Sequence, residues 1–186
     1  MQKLSGEISK VIKGKGEAVQ LILTALLAQG HVLIEDVPGV GKTTLAMALG
    51  KATGLSFRRA QFTPDVMASD ITGFTMFNRE ENRFEYRSGL VMTNILLADE
   101  INRTSPKTQS ALLEAMEEKR VTVDGVVHQL PEPFIVIATQ NPFGSIGTHS
   151  LPESQLDRFM IRTSLGYPDM ESEIKMLAQG SVDMTT

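Results

Sequence analysis

The sequence predicts an α/β protein whose helices pack against one sheet. Short apolar runs with the character of buried strands alternate with segments of helical periodicity. Several of these runs end in glycine-rich or polar turns, and the 186 residues suffice for one such core. Because open α/β sheets bind ligands at the carboxyl ends of their strands, the residues that follow each run are the candidates for function.

The first such turn, residues 35–44, lies between an apolar run over 31–34 and a predicted helix over 45–52. Its glycines let the backbone approach a polyphosphate closely, and the N–H groups of the following helix face the anion. Lys42 would reach the β- and γ-phosphates, and the Thr43 hydroxyl would bind Mg²⁺. The candidate nucleotide-binding residues are Pro38, Gly39, Val40, Gly41, Lys42, Thr43 and Thr44.

One position departs from the general phosphate-loop pattern GxxxxGK[ST], since Asp36 stands where the pattern has its first glycine. Aspartate is accepted in turns, but its carboxylate must point away from a bound triphosphate to avoid repelling it. The alternative interpretation is a Gly/Pro turn that happens to precede a lysine.

A second apolar run, residues 94–98, ends in Asp99 and Glu100, which places two carboxylates at the carboxyl edge of the sheet. Asp99 suits the outer coordination shell of Mg²⁺, and Glu100 suits activation of an attacking water. A strand ending in two acids is weak evidence alone, because a solvated strand end gives the same pattern. Its position after a phosphate loop favours the functional interpretation.

Two further strand ends carry candidates. The run 134–138 leads into Thr139–Pro142, where the neutral amide of Asn141 could orient water without competing for its proton. A capped strand end is the alternative. Arg158 and Arg162 flank the start of the last predicted strand, where each could serve the nucleotide or form a surface ion pair.

The remaining segments predict the framework. A helix over 17–29 ends at Gly30 as its left-handed C′ residue, and a later helix begins at Pro106 behind the N-cap Ser105. His128 is assigned to a hairpin strand position rather than to catalysis. The other predicted elements are a helix over 4–12, a strand over 57–61, hairpins over about 74–87 and 121–130, and a final helix over 169–179.

Composition narrows the function classes. The net charge of −4 and the lack of a basic stretch with interleaved aromatics argue against a nucleic-acid footprint. The chain has no cysteine, so disulfides and thiolate metal sites are excluded. No signal-peptide pattern opens the chain, and the longest apolar stretch, 18–28, is too short for a bilayer. A soluble, cytoplasmic protein is expected.

Together these parts resemble the AAA+ ATPases, and within them the MoxR family. The resemblance covers residues 8–178 and rests on five linked segments, 35–44, 97–103, 106–118, 137–142 and 151–159. It implies a three-layer αβα nucleotide-binding domain over 1–168, with a five-stranded parallel sheet in the order 5-1-4-3-2. The two hairpins resemble the family's insertions.

The resemblance also implies residue roles. Lys42 and Thr43 would form Walker A, Asp99 and Glu100 Walker B, and Asn141 sensor 1. Arg158 would be the arginine finger offered to the ATP of a neighbouring subunit, with Arg162 in reserve. Residues near Val11, Ile12 and Gly14 would line the adenine.

The family further implies a hexameric ring, ATP and Mg²⁺ as cofactors, and a chaperone-like remodelling ATPase. Client proteins or partners with von Willebrand factor A domains follow by analogy, and no membrane partner is expected. The family's helical lid would begin at residues 169–186, where this chain ends.

Three other functions fit some of these features. A P-loop small-molecule kinase would need an acceptor site and lid arginines, which the sequence does not show. A nucleotide-dependent switch with negligible turnover would keep the same site. A ring motor on nucleic acid would bind DNA in a salt-dependent way.

Overall fold

A computed structural model of the chain describes residues 15–36, 41–141 and 151–166, together with Gly6 and Ile8. The elements, numbered in chain order, are α1 (Gly16–Leu27), β1 (His31–Glu35), α2 (Lys42–Thr53), β2 (Phe57–Gln61), α3 (Ala68–Thr72), β3 (Gly73–Asn78), β4 (Arg83–Ser88), β5 (Ile95–Asp99), a 3₁₀ helix (Ile101–Arg103), α4 (Pro106–Glu118), β6 (Arg120–Val123), β7 (Val126–Gln129), β8 (Ile135–Gln140), α5 (Glu153–Leu156) and β9 (Phe159–Thr163). The predicted helix over 169–179 and most of the one over 4–12 lie outside the described residues.

The central sheet has five parallel strands in the order β2-β5-β8-β1-β9. Counted along the chain, the strands of this sheet stand in the order 5-1-4-3-2, as predicted. The pairing aligns the carboxyl ends: Gln61 lies opposite Asp99, and Glu35 lies opposite Gln140. Polar side chains from four sequence segments therefore share one edge of the sheet.

Successive residues of the inner strands are buried on opposite faces of the sheet, which is why these strands are continuously apolar. Val32 and Ile34 belong to a core cluster that includes residues of α1 and α2. Leu33 belongs to a second cluster with residues of α3 and α4. Helices thus cover both faces, and the predicted three-layer arrangement is confirmed.

Both predicted hairpins are present as separate two-stranded sheets, β3–β4 and β6–β7. Asp124 and Gly125 join β6 to β7 with φ angles of 49° and 79°, as a two-residue Asp-Gly hairpin turn requires. His128 lies in β7, and its ring stacks on that of Tyr86 in β4, with 3.7 Å between the ring centroids. This stack connects the two hairpins.

The end of α1 differs from the prediction. The left-handed residue is Gln29, with φ of 53°, and not Gly30. The Gly30 N–H donates to the Ala25 oxygen at 2.8 Å, which completes a Schellman motif. Gly30 is needed for a different reason, because a Cβ there would overlap the Met160 side chain.

Candidate functional site

The start of α2 is shaped for an anion. Gly41 precedes the helix in a left-handed conformation, φ 90°, and as a glycine it has no side chain to cap the first N–H groups. These orphan donors and the positive end of the helix dipole form an anion-binding terminus. Lys42 is the first helical residue, and its Nζ donates to the Asp36 backbone oxygen at 2.8 Å.

The Lys42 side chain is 9% exposed. Burial lowers the pKa of its ammonium from the ordinary value of 10.5, and the negative charges of Asp36, Asp99 and Glu100 oppose that shift. The same ammonium would gain stabilisation from a bound polyphosphate, because an adjacent anion favours the charged form of a lysine.

The Asp36 side chain is held by the segment that follows β9. Its Oδ2 accepts hydrogen bonds from the backbone N–H groups of Leu165 and of Gly166, the latter at 3.1 Å. The Lys15 ammonium binds the carbonyl oxygens of the same two residues, at 2.6 Å for Leu165. The aspartate that departs from the loop pattern therefore ties β1 to the end of β9.

Asp99 ends β5 with both carboxylate oxygens engaged. Its Oδ1 accepts from the Thr139 hydroxyl at 2.8 Å. Its Oδ2 accepts from Nε and Nη2 of Arg59 at 3.1 and 2.8 Å. Asp99 is 7% exposed, so its charge is stabilised by these donors rather than by bulk water.

Glu100 has a left-handed backbone, with φ of 55° and ψ of 48°. This conformation is uncommon for a residue with a side chain, and such residues cluster at functional sites. The Glu100 N–H donates to the Thr139 hydroxyl at 2.9 Å, and the same hydroxyl donates to Asp99. One buried threonine of β8 thus orients both acids of β5.

The Glu100 carboxylate is held by two side chains. Its Oε2 accepts from Gln61 Nε2 at 2.8 Å and from Arg103 Nη1 at 2.9 Å. Sequence reasoning identified neither partner, and it also missed Arg59. The sequence signal that could identify the two residues of β2 is the predicted strand order, because it places β2 beside β5 and Gln61 level with Asp99.

These groups surround one cavity of about 420 Å³. It is lined by Gly41, Lys42, Thr43, Thr44, Arg59, Gln61, Asp99 and Glu100. Orphan N–H groups, an ammonium, a hydroxyl and two carboxylates fit a triphosphate with a divalent cation. Within the described ranges, no group of three or more acidic or histidine side chains could hold a metal. Mg²⁺ commonly takes one or two protein ligands besides phosphate and water, and the hydroxyl and carboxylates of this cavity could supply that number.

The remaining predicted residues lie in different places. Asn141 follows β8, and its backbone oxygen accepts from Asn102 Nδ2 at 3.4 Å. Arg158 pairs with Glu117 at 2.9 Å, beside a separate cavity of about 310 Å³. Arg162 pairs with Glu35 at 3.0 Å. Both arginines thus form ion pairs within the chain.

The structure does not test the predicted loop and adenine contacts, because Val11, Ile12, Gly14, Pro38, Gly39 and Val40 lie outside the described residues. Among the helices that are described, none is both long and apolar enough to cross a membrane.

Comparison with known proteins identifies a family of ATPases and similar bacterial proteins. A model of the "ATPase family associated with various cellular activities (AAA)" matches residues 31–161. A protein of Bacillus subtilis, YeaC, is 58% identical over 92% of this chain and 53% of its own length. "Chaperone MoxR1" of Mycobacterium tuberculosis is 43% identical over 92% of this chain and 45% of its own length.

The fold also matches a solved structure. A crystal structure from Cytophaga hutchinsonii, of a protein assigned as an ATPase, aligns with a TM-score of 0.89 and 42% identity. The alignment covers 100% of this chain and 56% of that one. This chain spans about half the length of the curated relatives that it matches.

Proposed function

Because this chain belongs to the AAA family of ATPases and is MoxR-like, we propose that it binds ATP with Mg²⁺ and hydrolyses the γ-phosphate. The observation that carries the proposal is the convergence of Lys42, Thr43, Asp99 and Glu100 on one cavity at the carboxyl edge of the sheet. These residues come from two segments that are far apart in the sequence.

Hydrolysis of a phosphoanhydride requires positioning and charge neutralisation more than covalent chemistry. The Lys42 ammonium would leave the Asp36 oxygen and bind the β- and γ-phosphates, while the α2 N–H groups hold the anion. Glu100 would accept a proton from the attacking water. Asn141 would orient that water from the end of β8.

Thr43 and Asp99 are the residues that would hold Mg²⁺, which would supply neutralisation of the phosphate charge when bound. Thr139 would hold Asp99 and Glu100 in position, since its hydroxyl is hydrogen-bonded to both residues. We assign the adenine contacts to Ile12 and Gly14 and the remaining phosphate contacts to Pro38, Gly39, Val40, Gly41 and Thr44, by family analogy.

Completion of the site would require a second subunit. Arg158 lies beside a cavity other than the one that contains Lys42. This placement supports a role for Arg158 as an arginine finger on the neighbouring subunit of a ring, hexameric by family analogy. Arg162 remains the second choice for this role.

The wider role is proposed by analogy with the family. A chaperone-like remodelling ATPase would act on client proteins or on partners with von Willebrand factor A domains. Residues 1–168 would form the nucleotide-binding domain, and 169–186 the start of a lid. A protein that consumes ATP needs the cytoplasmic pool, so we place it in the cytoplasm.

A nucleotide-dependent switch is the second candidate. The observation that favours it is the engagement of the Glu100 carboxylate by Gln61 and Arg103, which leaves the candidate base hydrogen-bonded to two side chains. A single-turnover assay separates the two functions. Phosphate release within one turnover supports the ATPase, whereas stable bound ATP supports the switch.

The direct test is the Glu100→Gln variant, which keeps the size and hydrogen-bonding ability of the side chain but cannot act as a base. We expect ATP binding to be retained and hydrolysis to fall by about 10²-fold or more, the range of general-base effects. Fluorescent-nucleotide titration and phosphate release measure the two quantities. Glu80→Gln, on the exposed β3–β4 turn, is the matched control. Wild-type turnover in Glu100→Gln would remove Glu100 from its role.

A further inference from the structure

Arg59 is a cation in the candidate site to which neither the sequence motifs nor the proposed hydrolysis gives a role. It lies in the middle of β2 and extends a two-donor contact to Asp99 Oδ2, with distances of 3.1 Å from Nε and 2.8 Å from Nη2. Its guanidinium also lines the cavity that contains Lys42 and Thr43. Both donors converge on one carboxylate oxygen, so the contact is a charge-assisted ion pair, with the Arg59 side chain 48% exposed.

The charges that line the cavity are balanced. Lys42 and Arg59 contribute two positive charges, and Asp99 and Glu100 contribute two negative ones. Asp99 Oδ1 is already occupied by the Thr139 hydroxyl. Oδ2 accepts both Arg59 donors, so a divalent cation that approaches this carboxylate competes with Arg59 for its negative charge.

We propose that Arg59 is a positioning residue that acts as a built-in counter-cation for Asp99, and that it reduces the dependence of nucleotide binding on Mg²⁺. The inference rests on the proposed function, because it concerns the same triphosphate site. Without the metal, Arg59 neutralises Asp99 and adds positive charge beside Lys42, so that the carboxylates do not repel the nucleotide. With the metal, the cation takes over this neutralisation.

The quantity that tests the inference is a ratio, the Kd for ATP in EDTA divided by the Kd for ATP in Mg²⁺. In Arg59→Ala the cavity keeps one lysine and two carboxylates, so metal-free binding should weaken strongly. Binding with Mg²⁺ should change less, because loss of the Arg59 donors frees Oδ2 of Asp99 for the metal. We expect the ratio to rise about tenfold, which corresponds to the loss of one charge interaction at short range.

Arg58→Ala is the matched control. Arg58 is the neighbouring residue of the same strand, but its Nη1 donates to the Gly89 oxygen at 2.8 Å, and it lines a different cavity. The control loses the same overall charge, and its ratio should equal that of the wild-type chain. Arg59→Lys retains the charge without the fork, so its ratio should rise by less than that of Arg59→Ala.

Equilibrium titration with a fluorescent ATP analogue gives both constants without any turnover. The inference is overturned if Arg59→Ala keeps the wild-type ratio, or if Arg58→Ala raises the ratio as much. If Arg59→Ala does not fold, as circular dichroism would show, Arg59→Lys decides between a raised and an unchanged ratio. Absence of ATP binding by the wild-type chain in both conditions would defeat the proposed function as well.

Discussion

At the scale of single residues, His31 gives the clearest energetic consequence of burial. Its Nδ1 accepts from the Val136 N–H at 3.0 Å, and its Nε2 lies 3.2 Å from the Met116 oxygen. These contacts select the neutral ring with the proton on Nε2. Burial lowers the pKa of His31 from 6.5 to about 4, an effect to which Lys119 adds and which the hydrogen bond to Met116 opposes.

The sign of the pH effect follows from this shift. Between pH 6.5 and 4 the unfolded chain binds a proton at His31 and the native chain does not, so protonation favours unfolding. We expect the free energy of unfolding to fall by about 3 kcal/mol as the pH is lowered through this window, at 1.36 kcal/mol for each unit of pKa. Urea unfolding at a series of pH values measures it.

The comparison that isolates His31 uses two variants. His31→Gln should be less stable at neutral pH, and its stability should vary less between pH 6.5 and 5, where few carboxylates titrate. Val126→Gln, at an exposed position of β7, changes no ionisable group and should keep the wild-type pH dependence. An unchanged slope in His31→Gln would contradict the assignment.

Single residues also show how far a sequence predicts a site. Lys42, Asp99 and Glu100 are predictable because a phosphate loop and a strand ending in acids are local patterns. Arg59 has no such local pattern. Its role depends on the pairing of β2 with β5, which places two segments about forty residues apart in contact. Thr139 belongs to a polar strand end that the sequence shows, but its two hydrogen bonds follow from the register of β8 with β5.

At the scale of elements, the β3–β4 hairpin is fixed to the domain at Gly89. A Cβ at this position would overlap the backbone of Ile71 and Gly73, which cannot move away as a flexible side chain could. The backbone runs on as Leu90, whose N–H donates to the Asp70 oxygen at 2.8 Å. We expect Gly89→Ala to lower the free energy of unfolding by about 2 kcal/mol or more, the range of overpacking effects.

The control for this prediction is Gly16→Ala. Gly16 begins α1, and nothing lies within 4 Å of a Cβ placed there. Alanine at that position should be neutral or stabilising by up to about 1 kcal/mol, because glycine loses more backbone entropy in a helix. Equal unfolding free energies for the two variants would show that the hairpin base relaxes freely.

Elements were more predictable than their ends. The strands and both hairpins follow from hydrophobic patterns that lie within each segment. The end of α1 was assigned wrongly because a glycine after a helix is normally the left-handed residue. Here Gly30 is required by Met160 of β9, a contact that no local pattern contains.

At the scale of the whole molecule, the candidate nucleotide site and the predicted finger Arg158 lie at different cavities. Lys42, Asp99 and Glu100 line one cavity, whereas Arg158 lies beside another with Glu117 and Glu114. Such a separation is what a ring requires if each site is completed by the next subunit. The strand order was predicted through family resemblance rather than through local pattern, because parallel strands are joined by crossovers that a pattern does not specify.

An arginine finger that acts between subunits allows two inactive variants to restore turnover when they are mixed. An arginine that acts within its own chain does not allow this. Arg158→Ala should lower turnover by about 10³-fold, since arginine fingers contribute 10³–10⁵. Glu100→Gln should lower turnover by about 10²-fold or more. When the two variants are mixed and assemble randomly, about one interface in four joins an intact Arg158 to an intact Glu100.

Phosphate release from the mixture should therefore recover toward a quarter of the wild-type rate, and the specific activity of the wild-type chain should fall on dilution. A mixture as inactive as its components would place the action of Arg158 in cis. Turnover retained by Arg158→Ala alone would move the finger to another residue, and Arg162→Ala in the same mixing experiment would test the second choice.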